Sequence, residues 1–214
     1  MIIRDLTLHN FRGIRDLKLD FDDSRMVLFA GINGAGKTSA LECIATLMSW
    51  LVLRIRTNTG SGRLPSDSDI MNNENETSIS LTIENGGKTY SWTIARTRKG
   101  RSQKIRSDYK DLPEIVAPIQ QYLSTEPETA GVPLFVYYPV NRAVLDIPVR
   151  IRKKHEFTQL SAYEKTGTDF RAFFEWYRDQ EDYENEQNRF KAPLFDKKTY
   201  EDKKLKAVRT AVYG

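Results

Sequence analysis

The 214-residue sequence predicts an α/β fold with a mixed sheet, an antiparallel part at its N-terminal end and a helical extension after it. Three observations carry the prediction. A short apolar run, MVLFA at 26–30, enters a glycine-rich loop and then an apolar-periodic helix, the strand–loop–helix order of an α/β core. Two-residue alternation on either side of that unit, in 2–21 and 79–94, marks antiparallel strands. Beyond residue 165 the apolar period becomes that of helices. A chain of this length builds one well-buried core with an appendage.

Taken in order, Ile3, Leu6 and Leu8 form a first strand that breaks at Arg12 and Gly13, and Ile14, Leu17, Leu19 and Phe21 alternate with charges in a second. The two read as an antiparallel pair. MVLFA, apolar throughout and ended by a glycine, has the pattern of a strand buried on both faces. A helix follows from Lys37 to about Leu53, with Leu41, Ile44, Ala45, Met48, Leu51 and Val52 on one side. Residues 54–76, rich in Gly, Ser, Asn, Asp and Pro, predict an exposed, mobile loop. A hairpin comes next: Ile79, Leu81 and Ile83 alternate, Asn85-Gly86-Gly87 supplies a turn of positive φ, and Tyr90, Trp92 and Ile94 alternate back. Leu112–Leu123 reads as a short helix interrupted by Pro113 and Pro118, and PLFVYYPV at 133–140 as a second buried strand. After a polar, basic segment at 150–165, Thr168 or Asp169 caps a helix through about Asn188, and a last helix runs from about Thr199 to Val212.

The central loop, GINGAGKT, fits G-x-x-x-x-G-K-[ST] with Gly31, Gly36, Lys37 and Thr38, a Walker A pattern. The spacing has a chemical reason. Such a loop wraps a phosphate with inward-pointing backbone N–H groups that side chains would obstruct, hence the glycines. Lys37 would reach the β- and γ-phosphates as a point charge, Thr38 would place its hydroxyl on Mg²⁺, and the helix start adds its positive end. ATP and Mg²⁺ are the ligands so implied. A hydrolase of this kind also needs an apolar strand ending in Asp or Asp-Glu to hold the metal and polarise water. PLFVYYPV ends without a carboxylate, and AVLD at 143–146 is too short. His9 and His155 follow no acidic strand end, so no catalytic residue is identified in this segment.

Composition bounds the setting. Hydrophobic residues at 39% and charged residues at 29% describe a globular protein with a polar surface. The most apolar stretch, LECIATLMSWLVL at 41–53, falls short of the roughly 20 residues of a spanning helix, and the charged N-terminus lacks a secretory core. The expectation is a cytoplasmic protein with no membrane contact. The lone Cys43 excludes an internal disulfide and a cysteine zinc cage.

LHNFRGIRDLKLDF followed by VLFAGINGAGKTSALECI resembles the opening of the RecF- and SMC-like branch of ABC-type ATPases, in which an Asn-Phe-Arg turn precedes a G-x-N-G-A-G-K-[ST] loop. Those positions are Asn10, Phe11 and Arg12, then Gly31, Asn33, Gly34, Ala35, Gly36, Lys37 and Thr38. FVYYPVNRAV and FRAFFEWYRDQEDYENE further resemble the ATPase subunits of Septu and retron-linked antiphage systems. The resemblance implies a phosphate-loop NTPase of ABC/SMC-head type, with 1–149 as its N-terminal lobe and 150–214 as a basic segment and helical arm. It implies nucleotide contacts from Arg12, Asn33, Gly34, Ala35, Gly36, Lys37, Thr38 and Ser39, with Thr38 on the metal. It places Asn141 or Arg142 near the loop that senses the γ-phosphate, although the family's glutamine is not evident there. The signature serine, acidic strand and switch histidine of the second lobe have no counterpart. KLKAVRTAVYG, a helix with no stop and no closing strand, leads to the expectation of a longer polypeptide.

Heads of this family sandwich ATP between two copies, so a homodimer or higher oligomer is implied, together with an HNH-type nuclease subunit and a reverse transcriptase–nucleic acid complex as partners. Three functions remain open: an antiphage ATPase that controls a DNA-acting or nuclease partner, a nucleotide-gated scaffold with little or no hydrolysis, and a small-molecule kinase, against which the N-G-A-G-K wording argues. RTRKGRSQKIR offers Arg96, Arg98, Lys99, Arg101, Lys104 and Arg106 to DNA or RNA, or is a solvated hairpin end; VRIRKK at 149–154 stands likewise. In the late helix, Phe170, Phe173, Phe174 and Tyr177 share a face, with Trp176 and Tyr183 beside it and Glu175, Asp179, Asp182 and Glu186 opposite. That face packs within the protein or against a partner.

Overall fold

The computed structural model describes residues 1–22, 26–126, 133–138, 171–191 and 200–213, and side chains within these apart from 171–173, 190–191 and 212–213. The chain divides into two compact units, 1–135 and 136–214.

In the first unit β1 (Ile2–Phe11) and β2 (Ile14–Asp20) form the expected antiparallel pair, with Leu6 opposite Leu19 and Phe11 opposite Ile14 across the Arg12-Gly13 turn. The hairpin is β3 (Glu76–Asn85) and β4 (Lys88–Thr97), joined by Gly86 and Gly87 at φ of 62° and 77°. Two consecutive positive φ values give the turn the twist its strands need, which is why glycine occupies both places. β3 also pairs antiparallel with β1, so the sheet order is β2-β1-β3-β4. Alternation sends Leu6, Leu8, Ile79, Leu81, Ile83, Trp92 and Ile94 into the core, all fully buried. Each such aliphatic side chain stabilises the fold by about 1.5–3 kcal/mol.

α1 (Lys37–Arg56) lies against β3 and β4, burying Cys43, Leu47, Leu51 and Ile55, while Trp92 Nε1 donates to the Leu47 carbonyl at 3.1 Å. By length and composition α1 could cross a membrane, but half of its most apolar window is buried inside this unit. α2 (Leu112–Thr125) packs on α1 and β4 and runs unbroken through Pro118. Gln120 Nε2 donates to the carbonyls of Arg54 and Ile55 at 2.9 and 3.3 Å, satisfying groups that the end of α1 leaves open.

Four expectations are corrected. MVLFA is not a strand: Met26 is 86% and Leu28 88% exposed. The described part of PLFVYYPV, 133–138, has no regular structure either, with Leu134 72% exposed. A strand buried on both faces needs hydrogen-bonded neighbours at its sides, and among the described residues none pairs with these runs. The sheet is accordingly wholly antiparallel where a mixed one was expected. The loop after α1 is not simply exposed. It doubles back on the helix, with Trp50 Nε1 donating to the Arg63 carbonyl at 2.7 Å and Trp50 stacked on Tyr109 at 4.5 Å. A Cβ at Gly62 would fall 2.4 Å from the Trp50 ring, so this glycine allows close approach. Further on, Pro65 and Ile70 are buried.

The second unit contains α3 (Arg171–Lys191) and α4 (Lys203–Tyr213). Asp202 caps α4 by accepting the N–H groups of Lys204 and Leu205 at 2.8 and 3.1 Å. Asn188 accepts the Tyr200 N–H at 2.6 Å and donates to its carbonyl at 3.1 Å. The acidic residues of α3 do not all face solvent. Glu175 is buried, and Glu184, also buried, pairs with Arg209 at 3.0 Å. Helical period places a charge on a face, but an available partner lets it be buried. Tyr183 meets Tyr200 edge to face at 6.3 Å, so part of the aromatic set packs within this unit. The expected cap at Thr168 or Asp169, Phe170, AVLD, VRIRKK, His155 and Asn141 with Arg142 lie outside the described residues.

Candidate functional site

The phosphate-loop segment occupies the N-terminal end of α1. Gly31, Gly34 and Gly36 have φ of 155°, 87° and 87°, backbone that a side chain would strain. The Ala35 N–H bonds the Ile32 carbonyl at 3.3 Å, tightening the turn, and the Ala40 N–H bonds the Gly36 carbonyl at 2.9 Å, starting the helix. The amides of Lys37, Thr38 and Ser39 therefore belong to the first turn, where no carbonyl within the helix is available to them and the helix dipole is positive. Lys37 Nζ folds over the loop and donates to the carbonyls of Gly31 and Ile32 at 2.8 and 2.7 Å. Asn33, Gly34, Ala35 and Thr38 are exposed, and Gly36, Lys37 and Ser39 half-buried.

Arg12 reaches the same end of the helix from the β1–β2 turn. Its Nη1 lies 3.4 Å from Ser39 Oγ and 2.6 Å from the Glu42 carboxylate, and its Nε donates to Asp69 at 2.8 Å. The turn also abuts the loop: a Cβ on Gly36 would come within 2.9 Å of Ile14 Cδ1. Burial alone would favour neutral arginine, but hydrogen bonds to Asp69 and Glu42 outweigh it and raise the Arg12 pKa. Burial likewise opposes the Asp69 charge, yet hydrogen bonds from Ser66 and Arg12 hold its carboxyl below the usual range. Cys43, one turn along α1, is a buried thiol pushed up to about 12 by burial, an environment that suppresses its reactivity.

The sequence pattern pointed to the loop and the family resemblance to Arg12, and neither pointed to Glu42 or Asp69, which the structure brings to Arg12. Glu42 stands three residues beyond Ser39, spacing that puts both on one side of a helix, so it was discoverable. Asp69 had no signal beyond the S-x-x-D spacing from Ser66.

The donor set suits a phosphate chain, with glycines that leave amides uncovered, a helix start and an ammonium group in one place. For a divalent cation, Thr38 offers a hydroxyl, and the carboxylates of Glu42 and Asp69 are engaged by Arg12. Among the described residues no cluster of three or more His, Cys, Asp or Glu could hold a metal ion.

Of the six basic residues of the 96–106 run, Arg96 and Arg98 have side chains held by hydrogen bonds within the unit. Arg96 pairs with Asp67 at 3.0 Å. Arg98 donates to the carbonyls of Glu74, Asp67, Ile70 and Met71 at 2.9, 3.2, 3.1 and 3.4 Å. Lys99, Arg101, Lys104 and Arg106 are exposed on a loop pinned by Glu76, whose carboxylate accepts the N–H groups of Lys104 and Ile105 at 3.0 and 3.1 Å. Burial works against that carboxylate, but the two amides win and lower its pKa.

Loop, helix and flanking turn together have the local geometry of a phosphate-binding loop at a helix N-terminus. The chain belongs to the AAA domain family, whose model matches residues 5–211. It is similar to the retron Vc95 probable ATPase of Vibrio cholerae serotype O1 biovar El Tor, 28% identical over 197 residues that make up 86% of this chain and 38% of the relative. The retron Ec83 probable ATPase of Escherichia coli is 26% identical over 197 residues, 87% of this chain and 36% of that protein. A DNA replication and repair protein RecF from Leptospira interrogans is 51% identical over 51 residues, 24% of this chain and 13% of that protein. The chain is thus homologous to retron ATPases and to the SMC-like ABC-type ATPases that include RecF, SbcC and Rad50. It spans less than two-fifths of the length of the retron relatives.

Proposed function

We propose that this chain is the nucleotide-gripping lobe of an ATPase that binds Mg²⁺-ATP, pairs its heads around the nucleotide, and couples that state to control of a DNA-acting or nuclease partner in antiphage defence. The observation that carries the reading is the loop itself: three positive-φ glycines ahead of α1, with Lys37 folded across them. In this reading Asn33, Gly34, Ala35, Gly36, Lys37, Thr38 and Ser39 hold the phosphate chain, and Arg12 approaches it from the side. Lys37 exchanges its two carbonyl acceptors for phosphate oxygens, a swap that keeps an ammonium group hydrogen-bonded throughout. Thr38 is the residue of this segment that would ligate Mg²⁺, which would supply positive charge to neutralise the phosphate chain. The retron names of two relatives support membership of a larger assembly; the partners we propose for it are an HNH-type nuclease subunit and a reverse transcriptase–nucleic acid complex. Lys99, Arg101, Lys104 and Arg106 are the exposed cations of the hairpin loop that such an assembly could place on DNA or RNA.

The test is Mg²⁺-ATP binding by the full-length protein and by Lys37→Ala. Binding should be lost in the variant, and wild-type affinity there would sink the proposal. A nucleotide-gated scaffold is separated by steady-state phosphate release, because rapid turnover excludes it.

A further inference from the structure

Arg12 has an unusual backbone for a residue with a side chain, φ 52°, in the left-handed region that such residues adopt only where their surroundings impose it. Asp69 restrains it at two points. The Arg12 N–H donates to the Asp69 carbonyl at 2.7 Å, and Arg12 Nε donates to Asp69 Oδ1 at 2.8 Å. Asp69 is itself fixed from behind, since its Oδ2 accepts the Ser66 N–H at 2.8 Å and the Ser66 hydroxyl at 2.7 Å. One carboxylate oxygen thus belongs to its own turn and the other to the arginine. The far end of the guanidinium, Nη1, pairs with the Glu42 carboxylate at 2.6 Å and lies 3.4 Å from Ser39 Oγ, both in the first turns of α1.

We infer that Asp69 is a positioning residue for nucleotide binding, gripping Arg12 by Nε so that its Nη1 end stands over the first turn of α1, where the phosphate chain lies. This rests on the ATP-binding reading above. A guanidinium on a flexible stem loses rotamer freedom when it meets a phosphate, and a carboxylate that already holds Nε removes that loss before the ligand arrives. The planar fork makes the arrangement directional: Nε and Nη1 point to opposite sides, so holding one aims the other. Among the described residues Asp69 makes no hydrogen bond or ion pair with residues 31–38. It acts through Arg12 alone.

The experiment is a thermodynamic cycle on the full chain, with Mg²⁺-ATP affinity read by titration calorimetry for wild type, Asp69→Asn, Arg12→Ala and the double variant. Asp69→Asn should weaken binding about three- to tenfold. In the Arg12→Ala background the same change should have no further effect, because the residue through which Asp69 works is gone. Equal weakening in both backgrounds, or none in either, overturns the inference. If thermal melting shows that Asp69→Asn does not fold, Ser66→Ala takes its place, with a smaller loss expected in the same direction and the same dependence on Arg12. Lys37→Ala runs alongside. Wild-type affinity in that variant overturns the phosphate-loop reading and this inference with it, whereas a failed cycle with Lys37→Ala inactive overturns this inference alone.

Discussion

Replacing Arg98 by alanine should destabilise the first unit by about 2–4 kcal/mol. Its guanidinium donates to four main-chain carbonyls between Asp67 and Glu74, three of them at 3.2 Å or less. A hydrogen bond from a charged donor contributes about 1.5–3 kcal/mol in a buried setting, and the half-exposed position here reduces that to roughly 1 kcal/mol apiece. The fourth bond, at 3.4 Å, adds little. Lysine would not rescue the fold, because a single ammonium cannot span carbonyls that a planar fork reaches at once. Urea denaturation measures the loss, with a melting point lower by roughly 5–15 °C. Hydrogen exchange localises it, since the Met71 N–H, bonded to the Asn10 carbonyl at 2.8 Å, should lose protection first. The reasoning is refuted if Arg98→Ala melts like wild type, and refuted in the other direction if it lowers DNA or RNA affinity while leaving stability untouched.

Gly36→Ala should lose about 1–2 kcal/mol of stability through left-handed backbone strain at φ 87° and weaken ATP binding. Gly13→Ala, whose Cβ would meet nothing within 4 Å, should melt within about 0.5 kcal/mol of wild type and serves as the control. The carboxyls of Asp69 and Glu76 have folded pKa values below their ordinary 3.8 and 4.5, so their contribution is fully present above those values. It is lost as pH falls through the lower folded values. An acid limb should therefore open below about pH 4.5 in urea titrations, and Asp69→Asn with Glu76→Gln should flatten it. Cys43, its thiol held up to about 12, should resist alkylation at about pH 8 until the protein unfolds, so labelling kinetics should track unfolding.

Sequence by itself determined the local elements and the phosphate loop. The β1–β2 pair, the β3–β4 hairpin with its glycine turn, and α1 as a helix were legible because alternation, turn residues and helical period are properties of consecutive residues. The buried side of α1 was legible only in part: Met48, Leu51 and Val52 are buried as expected, but Leu41 is 43% exposed, and Cys43, Leu47 and Ile55 are buried in its place. The loop was legible because its chemistry lies in eight successive positions, Gly31 to Thr38. Tertiary structure alone decided what the apolar runs at 26–30 and 133–138 become, since a strand exists only where a neighbour accepts its hydrogen bonds. It also decided that Arg98, read from its neighbours as one more surface cation, is a clamp, and that Asp69, 57 residues from Arg12 in the chain, is its partner. Charge identity is written residue by residue, but whether a charge faces water, a carbonyl or an opposite charge depends on which distant segment folds beside it.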